Sequence, residues 1–333
     1  MKTSIRNDPH FRPLVILAAC VVLLGAADWG QGRFLSAATP FSTLQTFANI
    51  GLVALGLGLT MMIREFDLSV VGMFGLAGCV AVMTGAVHPW FGIVLAMAIG
   101  LAAGVVQGLI IVRFALGSVG VTLGGLLTFV GVAYVLTESR SVPFENIRVA
   151  LLVNEPIVGL FSLRSGISLA IFAAVALLFG FTRLGRDVIA IGSDRRAAMI
   201  TGVNVDAFVV GIFAFSGFCA ATSGALLSYS LASASPAGLS DVLVPAAAAA
   251  ILGGVSLGGG SGRPLGIATG ALILAVLRSG LNAVEAPPFV NDIAMGAILL
   301  TVAILDGPYL MRRLGRIAPS ARARALSVRV TRG

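Results

Sequence analysis

Side chains able to do chemistry are scarce in this chain, and most stand at the edges of apolar runs. Glu65 and Asp67 lie two apart in Met62-Ile-Arg-Glu-Phe-Asp-Leu-Ser. A carboxylate at the bilayer centre would cost about 2.5–3.5 kcal/mol on insertion scales, so position decides its meaning. Between two apolar runs, Asp67 is expected to cap the following helix, with Arg64 and Glu65 in the interface. The other role open to the pair is gating or coupling. Nothing else builds a reactive pair. His10 and His88 have no metal-ligand neighbour, and Cys20, Cys79 and Cys219 sit inside apolar runs as small buried hydrophobes. There is no HExxH, no GxSxG and no GxxxxGK[ST]. The glycine-rich run from Gly253 to Gly262 has no phosphate-binding lysine and leads into Pro264. Catalytic, metal-ligating and cofactor-binding residues are therefore expected to be absent, and the protein is not expected to be an enzyme.

The densest cluster of charge is the stretch 183–206, with Arg183, Arg186, Arg195 and Arg196 among Asp187, Asp194 and Asp206. Its residues imply one short helix. Ser193 is expected as N-cap, Asp194 suits the positive end of the helix dipole, and Gly202 is the C-terminal stop. About eight residues of helix would span roughly 12 Å. A capped helix between two membrane spans suits docking by something outside the membrane.

The elements that position these residues follow from composition. Of 333 residues, 58% are hydrophobic and only 11% charged, with a mean hydropathy of +1.02. A soluble domain would carry about 25% charged residues. Apolar runs reach the roughly 20 residues that cross a bilayer core. The fold class is an all-α polytopic membrane protein of about ten transmembrane helices, near 14–27, 44–63, 68–87, 91–112, 119–137, 166–181, 208–231, 242–257, 265–284 and 293–305. The Ala-rich eighth, with Pro245 near its start and glycines at its end, is expected to be broken or partly crossing. The single transmembrane domain 14–306 lies between basic tails 1–13 and 307–333. It contains two long loops, 138–165 and 183–206.

Arginine placement orients the set. Arg64, Arg113, Arg183, Arg186, Arg195, Arg196, Arg263 and both tails share one side. Arg33, Arg140, Arg148 and Arg164 keep the other. The positive-inside rule makes both termini and loop 183–206 cytoplasmic and loop 138–165 external. The net charge of +8 thus reflects topology, and no nucleic-acid partner is implied. Glycines four apart, at Gly100, Gly104 and Gly108, at Gly120 and Gly124, and at Gly266 and Gly270, imply close helix approach. Division at the external loop gives two five-helix halves, inverted if they are a repeat. No span carries a midplane ionisable residue, which weakens an ion-coupled secondary transporter or channel, the alternative reading. Neutral groups are left for a path, and with the loop carboxylate the pathway or gating candidates are Asp67, Ser69, Thr122, Ser216 and Asn282. Such a lining suits a hydroxylated, uncharged solute.

Several stretches together resemble the permease subunit of bacterial ABC importers of the simple-sugar (ribose/arabinose/xylose) type. Glu65-Phe-Asp-Leu-Ser-Val-Val-Gly is similar to that family's G-I-D-L-S-V-G-S, and Phe114-Ala-Leu-Gly-Ser-Val-Gly-Val-Thr-Leu-Gly to its P-x-F-I-A-T-L-G. Thr182 to Ala198, ending Thr201-Gly-Val-Asn-Val, follows T-x-F-G-R-x-I-Y-A-I-G-G-N-x-x-A-A…S-G-I-x-V. Ile251-Leu-Gly-Gly-Val-Ser-Leu-Gly-Gly-Gly-Ser-Gly matches G-G-T-S-L-x-G-G-x-G. Asp194 replaces the usual Asn, and Arg195 and Arg196 add positive charge. The resemblance implies a subunit of the bacterial inner membrane without its own ATP site. ATP would be bound by an ABC ATP-binding subunit. The further partners are an extracytoplasmic (periplasmic) solute-binding protein, a second permease copy as homodimer or heterodimer, and the lipid bilayer. The implied ATPase-coupling loop falls on Gly185, Arg186, Ala190, Ile191, Gly192, Asp194, Arg195, Arg196, Ala197, Ala198 and Gly202. The implied cargo is a monosaccharide or sugar alcohol.

Overall fold

A computed structural model describes residues 11–28, 32–36, 38–237 and 242–301. Most of the two expected basic tails lies outside them. In chain order the helices are α1 (Phe11–Ala27), α2 (Ala38–Met62), α3 (Val70–Thr84), α4 (Pro89–Phe114), α5 (Ser118–Leu136), α6 (Ile147–Asn154) and α7 (Leu163–Phe181). There follow α8 (Leu184–Ser193), α9 (Arg195–Ile200), α10 (Val205–Ser230), α11 (Leu243–Leu252) and α12 (Pro264–Ala283). The all-α expectation needs one small addition. Strand β1 (Val142–Pro143) pairs antiparallel with β2 (Ser233–Ala234), Val142 opposite Ala234. The chain divides into two units, 1–286 and 287–333, and the second contains the apolar helix α13 (Pro288–Thr301).

Six helices, α2, α4, α5, α7, α10 and α12, are long and apolar enough to cross a membrane. At 25 and 26 residues, α2 and α10 run about 38 Å, beyond the roughly 30 Å of a hydrocarbon core. Helices α1, α3, α11 and α13 are apolar but shorter. The ten residues of α11 rise only about 15 Å, half a bilayer core, as the expected broken eighth span requires.

The core of the first unit forms around α2 and α10, which are apolar on every side and buried along most of their length. Helix α2 packs against α10, α11 and α12, while α10 packs against α2, α3 and α4. Each central helix thus lies against the third and fourth helices of the other sequence group. Loop chemistry fixes the ends. Pro89 and Pro264 open α4 and α12, where a missing N–H is harmless. Ser162 and Ser165 form a reciprocal capping box at the start of α7.

The α4 glycines act as their spacing implies. A Cβ on Gly100 or Gly104 would collide with the carbonyls of Gly217 or Phe213, and one on Gly108 would meet the Val210 backbone at 2.7 Å. Gly266 and Gly270 meet the Gly253 and Ala249 carbonyls on the α11 side. Gly120 and Gly124 differ, for a Cβ on either meets nothing within 4 Å. Their face of α5 is unpacked among the described residues. Gly104→Val is therefore expected to destabilise the bundle by about 1–3 kcal/mol or more through overpacking, seen as a lower thermal midpoint in detergent. Gly124→Ala should leave that midpoint unchanged, and equal behaviour of the two variants would refute the packing argument.

Candidate functional site

The charged stretch 183–206 folds as two helices rather than the single one expected. In α8, Leu184, Val188 and Ile191 recur with helical period on the apolar face, and Asp187 sits in the first turn, where the dipole favours it. Ser193 is the last residue of α8, its Oγ donating to the Ile189 carbonyl at 2.8 Å, so the cap position of the next helix falls one residue later. The cap of α9 is Asp194, in extended conformation. Its carboxylate accepts from the N–H groups of Arg196 at 2.9 Å and Ala197 at 3.1 Å. An anionic acceptor makes the stronger bond of the two. Gly202 does end the helix. Its φ is +88°, its N–H donates to the Met199 carbonyl, and the Val203 N–H donates to Ala198, a Schellman motif.

This stretch is bolted to the end of α2. Arg64, itself at φ +66°, donates to the Ser193 carbonyl at 2.8 Å, and Arg195 pairs with Glu65 at 2.5 Å. The Gly260 N–H donates to the Met62 carbonyl at 2.9 Å. Gly259 and Gly260 have φ of +71° and +72°, and a Cβ on Gly192 would overlap Met62 and Gly260. The glycine-rich run thus commits an amide to protein backbone and lets three segments converge. The Arg195–Glu65 pair is half-exposed on the arginine side, so it fixes position more than it stabilises.

Of the coupling-loop residues, Ile191, Ala198, Gly185 and Gly192 are buried against the bundle, and Ala190 is half-buried. Arg186, Arg196 and Ala197 are exposed. Between them lies an apolar tip that the charge pattern hid, with Met199 53% and Ile200 86% exposed. The available signal was the apolar pair just before the helix-ending Thr201-Gly202.

Asp67 departs from its expected place. It does not cap α3 from the interface but is buried, 1% exposed, and the cap position belongs to Ser69, whose side chain makes no capping bond. The Asp67 carboxylate accepts from the Ser69 N–H at 3.0 Å, the Ser69 Oγ at 2.6 Å and the Ser216 Oγ of α10 at 2.7 Å. Ser69 Oγ also lies 3.0 Å from Oε1 of Gln107 on α4, yet one hydroxyl proton cannot serve two acceptors. Turning the Gln107 amide over gives one directed chain, Gln107 to Ser69 to Asp67. It also gives the buried Gln107 Nε2 a partner it otherwise lacks. Burial pushes the Asp67 carboxyl above the usual range, against the opposing pull of the Ser69 and Ser216 donors. On the same loop, the Phe66 N–H donates to Ser118 Oγ, and Thr122 Oγ1 lies 3.2 Å from the Phe66 carbonyl. The loop therefore gathers α4, α5 and α10. Asp67, Ser69, Thr122 and Ser216 come together, while Asn282 is exposed near the end of α12 and touches none of them.

At the middle of α2 and the C-terminal end of α10 stands a second polar node, which the sequence pattern did not single out. Arg164, in the first turn of α7, is only 3% exposed. Its guanidinium donates to Asn49 of α2, to Ser230 of α10 at 2.5 Å, and more weakly to Asn154 of α6 at 3.5 Å. Among the described residues no carboxylate pairs with it. The available signal was a lone arginine at the head of an apolar run.

The chain matches a family profile described as branched-chain amino acid transport system / permease component, over residues 39–303. It is 28% identical over 300 residues to the ribose import permease protein RbsC of Escherichia coli K12, covering 87% of this chain and 92% of that one. It is 29% identical to the autoinducer 2 import system permease protein LsrC of Yersinia enterocolitica, over 91% and 84%. The xylose transport system permease protein XylH of Escherichia coli K12 is 28% identical over 89% and 92%. These likenesses bear out the resemblance drawn from the motifs. No solved structure matches.

Proposed function

The chain belongs to the branched-chain amino acid transport system / permease component family, and from that premise we propose that it is the membrane permease subunit of an ABC importer for a small hydroxylated solute, a monosaccharide or sugar alcohol. The relatives named for ribose and xylose import support the solute class. In this reading the protein lies in a bacterial inner membrane with about ten spans in two inverted halves, both termini cytoplasmic. The four shorter apolar helices complete the six long ones, with α11 only partly crossing. It works with an ATP-binding subunit, an extracytoplasmic solute-binding protein and a second permease copy.

The observation that carries the reading is the junction of α8 and α9 with the α2–α3 loop. The exposed tip Met199–Ile200 offers an apolar contact to a cytoplasmic partner. Behind it, Arg195 and Arg64 hold the loop that contains Asp67, and Asp67 holds α10. Force applied at the tip therefore reaches both central helices through hydrogen bonds. Ile200→Asp combined with Met199→Asp is expected to leave membrane accumulation intact, because both side chains are exposed. It should reduce solute uptake at least about tenfold, a change of about 1.4 kcal/mol in coupling, and release the ATP-binding subunit on purification. Unchanged uptake and retention would sink the coupling role. Identifying the ligand carried by the copurified solute-binding protein names the solute.

An ion-coupled carrier working without an ATPase gains one observation, the buried carboxylate of Asp67. Proteoliposomes of the chain alone that concentrate solute on a proton gradient would favour it.

A further inference from the structure

A cleft of about 390 Å³ opens between α2, α7, α8 and α10. Its walls include Leu59, Phe179, Val188, Phe208 and Phe215, and no lining side chain can form a hydrogen bond. Its position is set by α8, whose Leu184 and Val188 face into it where α8 turns away from α7. Water does not fill so apolar a space. A second copy's helix is too thick, since a helix about 10 Å across occupies roughly 400 Å³ in each 5.4 Å turn. An acyl chain is thin enough to enter along its length.

Hydrocarbon gains little by leaving hydrocarbon, so what selects the occupant must lie at the rim. Next in sequence to the lining residues Leu184, Val188 and Ala207 stand Arg183, Asp187 and Asp206, while Arg186 lies on the far face of α8. Arg183 and Asp206 are exposed and Asp187 is half-buried, and among the described residues none of the three uses its side chain in a hydrogen bond or ion pair. The neighbouring Asp194 and Arg195 are both committed. A free guanidinium group and two free carboxylates match a headgroup that carries both charges. Arginine is suited to phosphate, which it binds in bidentate fashion, and a carboxylate accepts from a primary ammonium.

We propose that this cleft is a binding site for an aminophospholipid, with one acyl chain between α7 and α10, its phosphate on Arg183, and its ammonium on Asp206 and Asp187. The lipid then forms part of the seat of α8. On the coupling role proposed for α8 and α9, any shift of α8 during transport must compress or release it.

The test is native mass spectrometry of the full chain released from nanodiscs made of equal parts phosphatidylethanolamine and phosphatidylcholine with identical acyl chains. The wild type is expected to retain the ethanolamine lipid at least about threefold over its trimethylated analogue, a difference of about 0.65 kcal/mol at RT per e-fold. Gly211→Leu projects into the cleft, where a Cβ meets nothing within 4 Å. It should lower retained lipid at least fivefold. Should that variant fail to fold, Arg183→Gln with Asp206→Asn alters only exposed rim groups and should abolish the ethanolamine preference. Equal retention of both lipids by the wild type would overturn the proposal. So would unchanged retention in folded Gly211→Leu, whether or not that variant also loses self-association.

Discussion

Asp67→Ala is expected to abolish uptake and to destabilise the folded chain by about 1–3 kcal/mol, the scale of leaving a buried donor unsatisfied. The Ser69 N–H and the hydroxyls of Ser69 and Ser216 all aim at this carboxylate, and the first is buried with nothing else to accept it. Ser216 can turn to a carbonyl of its own helix, so α10 would survive while losing its tie to the loop. Asp67→Asn separates the two effects. It keeps an oxygen for Ser69 and presents an amide to Ser216, so it should fold yet transport poorly. The pH dependence adds a second check. Burial holds the Asp67 carboxyl above the usual range, so the folded protein keeps a proton that the unfolded chain has released. Stability from this group should fall as pH rises from about 4 through the folded-state value, and be level above it. Thermal midpoints of wild type minus Asp67→Asn should show that descending limb. A difference that rises with pH, or stays flat, would mean the carboxylate is ionised in the fold and better solvated than its burial implies.

What could be read ahead of the structure was local. Four-residue glycine spacing marked the α4–α10 contact, because a helix repeats its face at that interval. Pro245 and the glycines after Leu252 marked the short α11. Gly202 marked a helix end because few other residues accept φ of +88° without strain. What escaped depends on contacts distant in sequence. Gly120 and Gly124 have the same spacing as the α4 glycines but face no helix among the described residues. Spacing shows that a face is small, not that it is covered. Asp67 reads as a cap because the loop around it reads as surface. Only Ser216, 149 residues on, makes it interior. The division at Asp194 was missed for a subtler reason. Ser193 and Asp194 are both good caps, and the choice turned on α8 running through Ser193, which leaves Asp194 as the first extended residue.

The second large effect is expected at Arg164, and it should appear in transport rather than in stability. A buried guanidinium without a carboxylate carries a desolvation cost that its neutral partners, Asn49, Asn154 and Ser230, offset only in part. Arg164→Met keeps much of the volume and removes that cost while forfeiting the hydrogen bonds, so the two terms oppose and the thermal midpoint should move little, within about 1 kcal/mol. Uptake should fall at least about tenfold, because α2, α6, α7 and α10 lose the one group that binds all four. Arg164→Lys should not rescue it, since a single ammonium cannot reproduce the planar fork. Ser216 and Ser230 stand 14 residues apart on α10, roughly 21 Å, so Asp67 holds that helix at its middle and Arg164 at its C-terminal end. At that separation the stability changes of Asp67→Asn and Arg164→Met should add. Their effects on uptake should not. If α10 moves as one rigid element, releasing either hold already frees it, and the double variant should transport no worse than the poorer single one. Strictly multiplicative losses would mean that the two nodes act on separate steps, and that α10 does not carry motion between them.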